Sequence, residues 1–269
     1  MSKEIAGTIN KVIITSDGRV VKAFEDNGLV ERSARHRQNA EALSLIKFEG
    51  LSPTLFDVYQ NKVEMSVANG ENHLNSKLPE MSEALQQSVF TEAGRTLRQV
   101  HELGPRARLT PAYHQKVVRG SQSKTAELSG SFLENNIDPV GVFSYLENAY
   151  KQEEVDRLGA VHTHGDFWLN NLMGGVNGNS FTSKSVIDWE MASLAASPYE
   201  DYAIIELSIE SPYPQSKLPF WEGYGFTPDP RMKRYFAIMQ ILTWMNGESN
   251  KDYSSEFYQE KLDLIRVTI

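Results

Sequence analysis

Residues 162–172 read HTHGDFWLNNL, and this stretch can be interpreted as either of two catalytic sites. His162, His164 and Asp166 have the His-x-His-x-Asp spacing with which a zinc hydrolase can begin its ligand set. Alternatively, Asp166 and Asn171, which follows it by five residues, can supply the base and a magnesium ligand for phosphoryl transfer. The two chemistries need different partners elsewhere in the chain, so the remaining sequence must decide between them.

The zinc interpretation lacks its further ligands. Position 167, where a related hydrolase motif has another histidine, is phenylalanine, and no histidine follows His164. The chain also has no cysteine, so thiolate ligands, thiol nucleophiles and disulfides are excluded together. A zinc shell therefore cannot be completed by the usual residues.

Phosphoryl transfer finds its remaining parts in two other stretches. Asp188 follows the β-branched pair Val186-Ile187 in VIDWE, 17 residues after Asn171, which predicts a carboxylate at a strand end. An amide and a carboxylate oxygen suit magnesium, which keeps several of its waters. Lys22 ends the strand-like segment GRVVK and is the candidate for contacting phosphates.

The composition is that of an ordinary soluble domain. The chain has 269 residues, 40% of them apolar and 23% charged, and a net charge of −8. The negative charge argues against a nucleic-acid partner. We find no signal-peptide pattern and no apolar run near the roughly 20 residues that span a bilayer. A cytoplasmic location without membrane association is the expectation.

Residues 1–69 are predicted to form a small β-rich lobe. KVIITSDGRVVKAF has two β-branched runs around the Asp17-Gly18 turn signal, which predicts a hairpin. TLFDVYQNKVEMSVANG repeats the pattern with a turn near Gln60-Asn61. Between the hairpins, LVERSARHRQNAEALSLIKF has helix-forming composition and an apolar face at helical spacing.

Residues 70–269 are predicted to form a larger, mainly helical lobe. MSEALQQSVFTEAGRTLRQVHELGP has helical periodicity and ends at Gly-Pro, and PVGVFSYLENAYKQEEVDRLG is a second helical segment. SFTSKSVIDW predicts a strand, and a mainly helical tail follows. Within the tail, FWEGYGFTPDPRMKRYF suggests a loop on the substrate side. The fold class is therefore α+β.

The ordered set HGDFWLNN, VIDWEMA and SPYEDYA resembles the motifs of the aminoglycoside phosphotransferase and choline kinase-like family. HGDFW is especially similar to fructosamine kinase-like members, and DWEMA to choline and thiamine kinase members. The resemblance extends from Gly7 to Ala203 in the family's order. It implies a two-lobed protein-kinase-like fold whose N-terminal lobe binds the nucleotide. It also implies transfer of a phosphoryl group from ATP or GTP to a hydroxyl of an aminoglycoside, amino alcohol or sugar-like acceptor.

The resemblance also implies a role for each motif residue. Asp166 would be the catalytic base, Asn171 and Asp188 would bind Mg²⁺, and Lys22 would contact the nucleotide phosphates. His164 and Asp201 would support the site structurally. Met65 and Val67 would lie beside the adenine.

One family feature is ambiguous in this chain. Family members pair the phosphate-binding lysine with a helix glutamate, and the stretch RQNAEALSLI offers either Glu41 or Asn39 at that place. Two positions differ by about 200° around a helix, so both cannot face Lys22. Charge pairing favours Glu41 and register favours Asn39.

The acceptor is the least determined part of the prediction. From Trp189 to the C-terminus there are 12 acidic and 7 basic residues, which favours a cationic acceptor, although a solvated surface has the same composition. Glu190 and Trp221 are candidate substrate contacts, with structural or core roles as their alternatives.

A non-catalytic nucleotide-binding protein with this fold is the alternative function, but it would be expected to lose the base or a metal ligand, and neither is lost. The sequence leaves the oligomeric state open.

Overall fold

The structure, a computed structural model, describes residues 3–6, 11–23, 52–58, 62–70, 74–104, 106–246 and 256–269. The chain divides into two compact units. The first contains residues 1–103, 162–194 and 215–226, and the second contains residues 104–161, 195–214 and 227–269. The lobe boundary between residues 69 and 70 stays a prediction. The helix predicted over residues 29–48, with Asn39 and Glu41, lies outside the described residues.

The N-terminal part of the first unit is an antiparallel sheet. Its strands are β1 Lys3–Ala6, β2 Lys11–Ile14, β3 Arg19–Ala23, β4 Leu55–Val58 and β5 Lys62–Ser66, in the order β1-β2-β3-β5-β4. The β2–β3 hairpin predicted around Asp17-Gly18 is confirmed. Gly18 has a φ of 77°, a backbone conformation that favours glycine. β4 and β5 form the second predicted pair.

The later part of the chain is mainly helical. Its strands are β6 Val161–Thr163, β7 Leu172–Asn177, β8 Ser180–Val186 and β9 Ser193–Ala196. The helices are α1 Leu74–Lys77, α2 Glu83–His101, α3 Pro111–Glu127, α4 Ser129–Glu134, α5 Pro139–Ala149, α6 Gln152–Leu158, α7 Tyr199–Ile205, α8 Lys217–Tyr224, α9 Pro230–Asn246 and α10 Glu256–Arg266. None of the described helices combines the length and apolar character that crossing a membrane requires.

Two of the predicted segments need correction. The helical segment predicted over residues 139–159 is two helices, because Tyr150 and Lys151 adopt extended backbone conformations between α5 and α6. The substrate-side loop suggested for residues 220–236 is mostly α8 and α9. Only residues 225–229 lie between those helices, and Gly225 ends α8 with a φ of 81°. Gly225 and Pro230 therefore mark helix ends.

Helices α2 and α8 of the first unit approach each other closely at two glycines. A Cβ at Gly94 would lie 2.1 Å from the carbonyl oxygen of Phe220, and one at Gly223 would lie 1.9 Å from that of Thr91. Beyond this contact, His101 at the end of α2 shares a buried 2.8 Å hydrogen bond with the Tyr224 hydroxyl. The glycines therefore set the spacing of this helix pair.

The second unit contains a buried cluster of charged residues. α7 continues into a π-helical turn, Glu206–Glu210. Lys233 of α9 is 4% exposed, and its Nζ lies 2.9 Å from Glu206 Oε2 and 2.5 Å from Glu210 Oε2. The Arg234 guanidinium also contacts Glu206, at 2.7 Å. Each buried charge therefore has an opposite partner, as burial of ions requires.

Candidate active site

The β7–β8 hairpin brings the second and third motif residues together. Leu172, the first residue of β7, pairs with Val186, the last residue of β8. Asn171 and Ile187, the flanking residues, are therefore neighbours, and the Ile187 N–H donates to the Asn171 carbonyl oxygen at 2.9 Å. Asp188 follows directly, so strand pairing places it beside Asn171 although the two are 17 positions apart in sequence.

The loop that follows β6 can be built only with glycine at position 165. Gly165 has a φ of 77°, and a Cβ there would lie 2.2 Å from the carbonyl oxygen of Met191. Met191 ends the short 3-10 turn that begins at Trp189. The loop carrying Asp166 therefore packs directly on the turn that follows Asp188.

His164 connects these two loops by hydrogen bonds from both ring nitrogens. Its Nδ1 accepts from the backbone N–H of Asp166 at 3.3 Å, and its Nε2 lies 3.0 Å from the carbonyl oxygen of Ile187. Because a backbone N–H only donates and a carbonyl only accepts, the ring proton is on Nε2. His164 is completely buried. These contacts fit the support role that the resemblance implied, which stays a prediction.

The geometry of His164 also argues against the zinc interpretation. Both of its ring nitrogens already have partners, so neither is available as a zinc ligand. Within the described residues, no group of three or more His, Asp or Glu side chains is arranged to hold a metal ion. His162 is half-buried, and burial lowers its pKa. The described residues therefore give the His-x-His-x-Asp spacing no support as a zinc site.

Asp166 is half-buried and is contacted by two side chains of its own loop. The Asn171 amide nitrogen donates to the Asp166 carbonyl oxygen at 2.8 Å and to its carboxylate at 3.3 Å. Trp168 also forms a side-chain hydrogen bond with Asp166. Burial raises the pKa of the Asp166 carboxyl above its ordinary value and the negative charge of Asp188 adds to the increase, while His164, Trp168 and Asn171 oppose it. The carboxyl thus takes up a proton more readily than an exposed aspartate.

Asp188 lies in the left-handed backbone region, with a φ of 67° and a ψ of 52°. Few residues other than glycine adopt this conformation, and it occurs preferentially at functional sites. One Asp188 carboxylate oxygen lies 2.7 Å from Lys22 Nζ. The lysine of β3 and the acid after β8 therefore form an ion pair.

The sheet places Lys22 and Met65 on one face. Directly paired residues of antiparallel strands project to the same side. Val20 pairs with Met65 on β5, and Lys22, two residues after Val20, projects to the same side of β3. Val67, just beyond β5, is exposed. Contacts of Met65 and Val67 with a nucleotide stay predictions.

The structure gives less information on the roles of the remaining predicted residues. Asp201 is fully buried in the first turn of α7, and its supporting role stays a prediction. Trp221 is 3% exposed, with its ring 4.9 Å from Phe220 and 5.7 Å from Tyr224. This burial favours the core alternative for Trp221. The Glu190 side chain and Glu41 lie outside the described residues.

Sequence reasoning missed the roles of two tryptophans. Trp168 hydrogen-bonds to Asp166, and the Trp189 indole N–H donates to the Val186 carbonyl oxygen at 2.7 Å. Their only signal in the sequence is that each lies within two residues of a motif aspartate. An aromatic residue at such a position is consistent with core packing as well, so spacing alone did not reveal a donor.

The sequence profile of the phosphotransferase enzyme family matches residues 15–233, which is most of the chain. No curated protein sequence matches the chain.

Several solved structures have a similar fold. The ADP-bound aminoglycoside phosphotransferase APH(2'')-Ib superposes with a TM-score of 0.67 at 14% identity, over 99% of this chain and 92% of that one. APH(2'')-IIia in complex with GDP and kanamycin superposes with a TM-score of 0.67 at 13% identity, over 100% of this chain and 92% of that one. The Plasmodium vivax ethanolamine kinase superposes with a TM-score of 0.63 at 12% identity, over 100% of this chain and 81% of that one. At these identities the likeness establishes the fold, and the predicted protein-kinase-like fold class is confirmed.

Proposed function

The chain belongs to the phosphotransferase enzyme family, and from this premise we propose that it transfers the γ-phosphoryl group of ATP or GTP to a hydroxyl of a small molecule. The observation that carries the proposal is the convergence of the motif residues in one compact unit. Asn171 contacts Asp166, and Lys22 contacts Asp188 at 2.7 Å. These are the side chains that phosphoryl transfer needs for the acceptor, the metal and the phosphates.

Asp166 is the proposed base. It accepts a hydrogen bond from the acceptor hydroxyl and takes up the proton as the hydroxyl oxygen bonds to the γ-phosphorus. The bond from the γ-phosphorus to the bridging oxygen breaks in the same step, and ADP or GDP leaves. Its raised pKa makes it a stronger base than an exposed aspartate. The hydrogen bonds from Asn171 and Trp168 hold the carboxylate in one orientation.

Asn171 and Asp188 suit a magnesium ion. The Asn171 amide nitrogen faces Asp166, which directs the amide oxygen away from that residue. The Asp188 side chain is 38% exposed, so its carboxylate is accessible. Oxygen donors of this kind are the ligands that magnesium prefers. A magnesium ion bound here would neutralise negative charge on the phosphates.

Lys22 is the proposed phosphate contact. Its side chain is 16% exposed, and its Nζ already lies within 2.7 Å of the proposed metal ligand Asp188. A nucleotide phosphate beside Asp188 would therefore be within reach of the same ammonium group. Met65, on the same face of the sheet, and Val67 would border the adenine.

The proposed acceptor is an aminoglycoside, an amino alcohol or a sugar-like molecule. One similar structure contains both GDP and kanamycin, and another is an ethanolamine kinase, so amines recur among proteins of this fold. The net charge of −8 supports a cationic acceptor, and Glu190 is a candidate contact.

A nucleotide-consumption screen tests this function. ATP and GTP would each be combined with Mg²⁺ and with kanamycin, ethanolamine or a reducing-sugar amine adduct, and Asp166→Asn would be the blank. We expect acceptor-dependent formation of ADP or GDP by the wild type. Nucleotide binding without turnover on any acceptor of these classes would instead favour the non-catalytic alternative.

A further inference from the structure

Trp189 forms a hydrogen bond across the residue that carries the proposed metal-binding carboxylate. Its indole N–H donates to the carbonyl oxygen of Val186 at 2.7 Å, and the side chain is 3% exposed. Val186 is the last residue of β8, and Asp188 lies between the two bonded residues. The bond therefore closes a short ring of chain around Ile187 and Asp188.

The conformation of Asp188 needs such a restraint. A residue with a side chain loses roughly 1–2 kcal/mol in the left-handed region, so its surroundings must hold it there. On one side, Ile187 is fixed through both of its backbone groups, by the Asn171 carbonyl and the His164 ring. On the other side, Trp189 provides the restraint.

The same indole contacts the loop that carries the proposed base. The ring centroids of Trp189 and His164 are 4.6 Å apart, with 55° between the ring planes. His164 in turn accepts a hydrogen bond from the backbone N–H of Asp166. The Trp189 side chain therefore makes two contacts. Its hydrogen bond shapes the turn at Asp188, and its ring contact supports the loop that carries Asp166.

We propose that Trp189 is a positioning residue, whose indole N–H fixes the left-handed turn that directs the Asp188 carboxylate towards magnesium. The role rests on the proposed function, because it requires Asp188 to bind the metal. Residues that orient a metal ligand without touching the metal contribute strongly to its binding, and their loss commonly lowers affinity about 10–100-fold. A phenylalanine at position 189 would preserve the ring contact and remove the donor.

Calorimetric titration of Trp189→Phe with a non-hydrolysable ATP analogue tests this inference, with Mg²⁺ and again in EDTA. We expect magnesium affinity in the ternary complex to fall by on the order of 10-fold, while affinity for the analogue in EDTA is unchanged. In turnover with ATP, the magnesium requirement should rise and kcat at saturating magnesium should be largely retained. Trp244→Phe, in α9, is the matched control and should behave as the wild type.

Each other outcome has a definite meaning. Magnesium affinity within twofold of the wild type would overturn the role of Trp189 while leaving the proposed function intact. An equal loss of binding with and without magnesium would overturn it as well, because that indicates general structural damage. A wild type that binds no magnesium–nucleotide complex would refute the proposed function and this role together. If Trp189→Phe does not fold, Trp189→Tyr, whose ring lacks a donor at the indole nitrogen position, is measured against the same criteria.

Discussion

Replacing Gly223 by alanine tests how closely α2 and α8 must approach. A Cβ at this position would lie 1.9 Å from the Thr91 carbonyl oxygen, whereas ordinary contacts begin at 3.4 Å. The helices would have to separate by about 1.5 Å, the difference between these distances. Because the contacted atom belongs to the backbone of α2, no side-chain rotation can relieve the overlap.

The expected loss of stability follows from two opposing terms. Overpacking of a core contact costs roughly 1–3 kcal/mol, with the upper end expected where backbone must move. Alanine regains up to about 1 kcal/mol of helix propensity. We therefore expect a net loss of about 2 kcal/mol, which lowers the midpoint of thermal unfolding by roughly 4–8 °C in a chain of this size.

Thermal unfolding followed by circular dichroism measures this effect, with Gly120→Ala as the control. Gly120 lies within α3, where the nearest atom to an added Cβ is the flexible Met239 Cε at 3.9 Å. The control should be unchanged or stabilised by up to about 1 kcal/mol. A Gly223→Ala protein as stable as the wild type would refute the inference that these glycines set the helix spacing.

Two further predictions concern charged groups. Burial and the Asp188 charge raise the pKa of Asp166, so kcat/KM should fall with decreasing pH through a pKa above the ordinary aspartate value of 3.8. Trp168→Phe removes a hydrogen bond that lowers this pKa and should move the acidic limb of the pH profile to still higher pH. An acidic limb at or below pH 3.8, or a downward shift in the variant, would contradict this prediction. Lys233→Met leaves the carboxylates of Glu206 and Glu210 buried without their shared cation and should cost about 3–5 kcal/mol in urea denaturation, whereas Lys217→Met at an exposed position should change stability little. Equal stability of the two lysine variants would show that the buried cluster is not paired as described.

Local sequence signals predicted much of the secondary structure. Asp17-Gly18 marked the β2–β3 hairpin because a tight turn needs a residue that tolerates positive φ. The periodicity and Gly-Pro stop of residues 81–105 predicted α2, which ends at His101. The break at Tyr150–Lys151 was missed because neither residue is a helix breaker. There the chain leaves the helix although its composition allows one to continue.

The sequence predicted the candidate residues of the site better than the contacts between the loops that carry them. The order of the motifs marked Asp166, Asn171 and Asp188 as candidates, and the pairing of β7 with β8 explains why the last two lie close together. The left-handed conformation of Asp188 and the hydrogen bonds of Trp168 and Trp189 depend on contacts between loops. Such contacts leave no spacing pattern in a single sequence. They become visible only when side-chain atoms are placed.

The most direct test of the proposed function is single-turnover phosphoryl transfer by wild type and Asp166→Asn, with Mg²⁺, excess enzyme over ATP, and the acceptor that the nucleotide-consumption screen identifies. Asparagine has nearly the same shape as aspartate but cannot accept the proton, so circular dichroism and nucleotide binding should be unchanged. We predict that transfer by the variant is at least about 100-fold slower than by the wild type. Transfer at the wild-type rate by the folded variant would contradict the assignment of Asp166 as the base and, with it, the proposed mechanism.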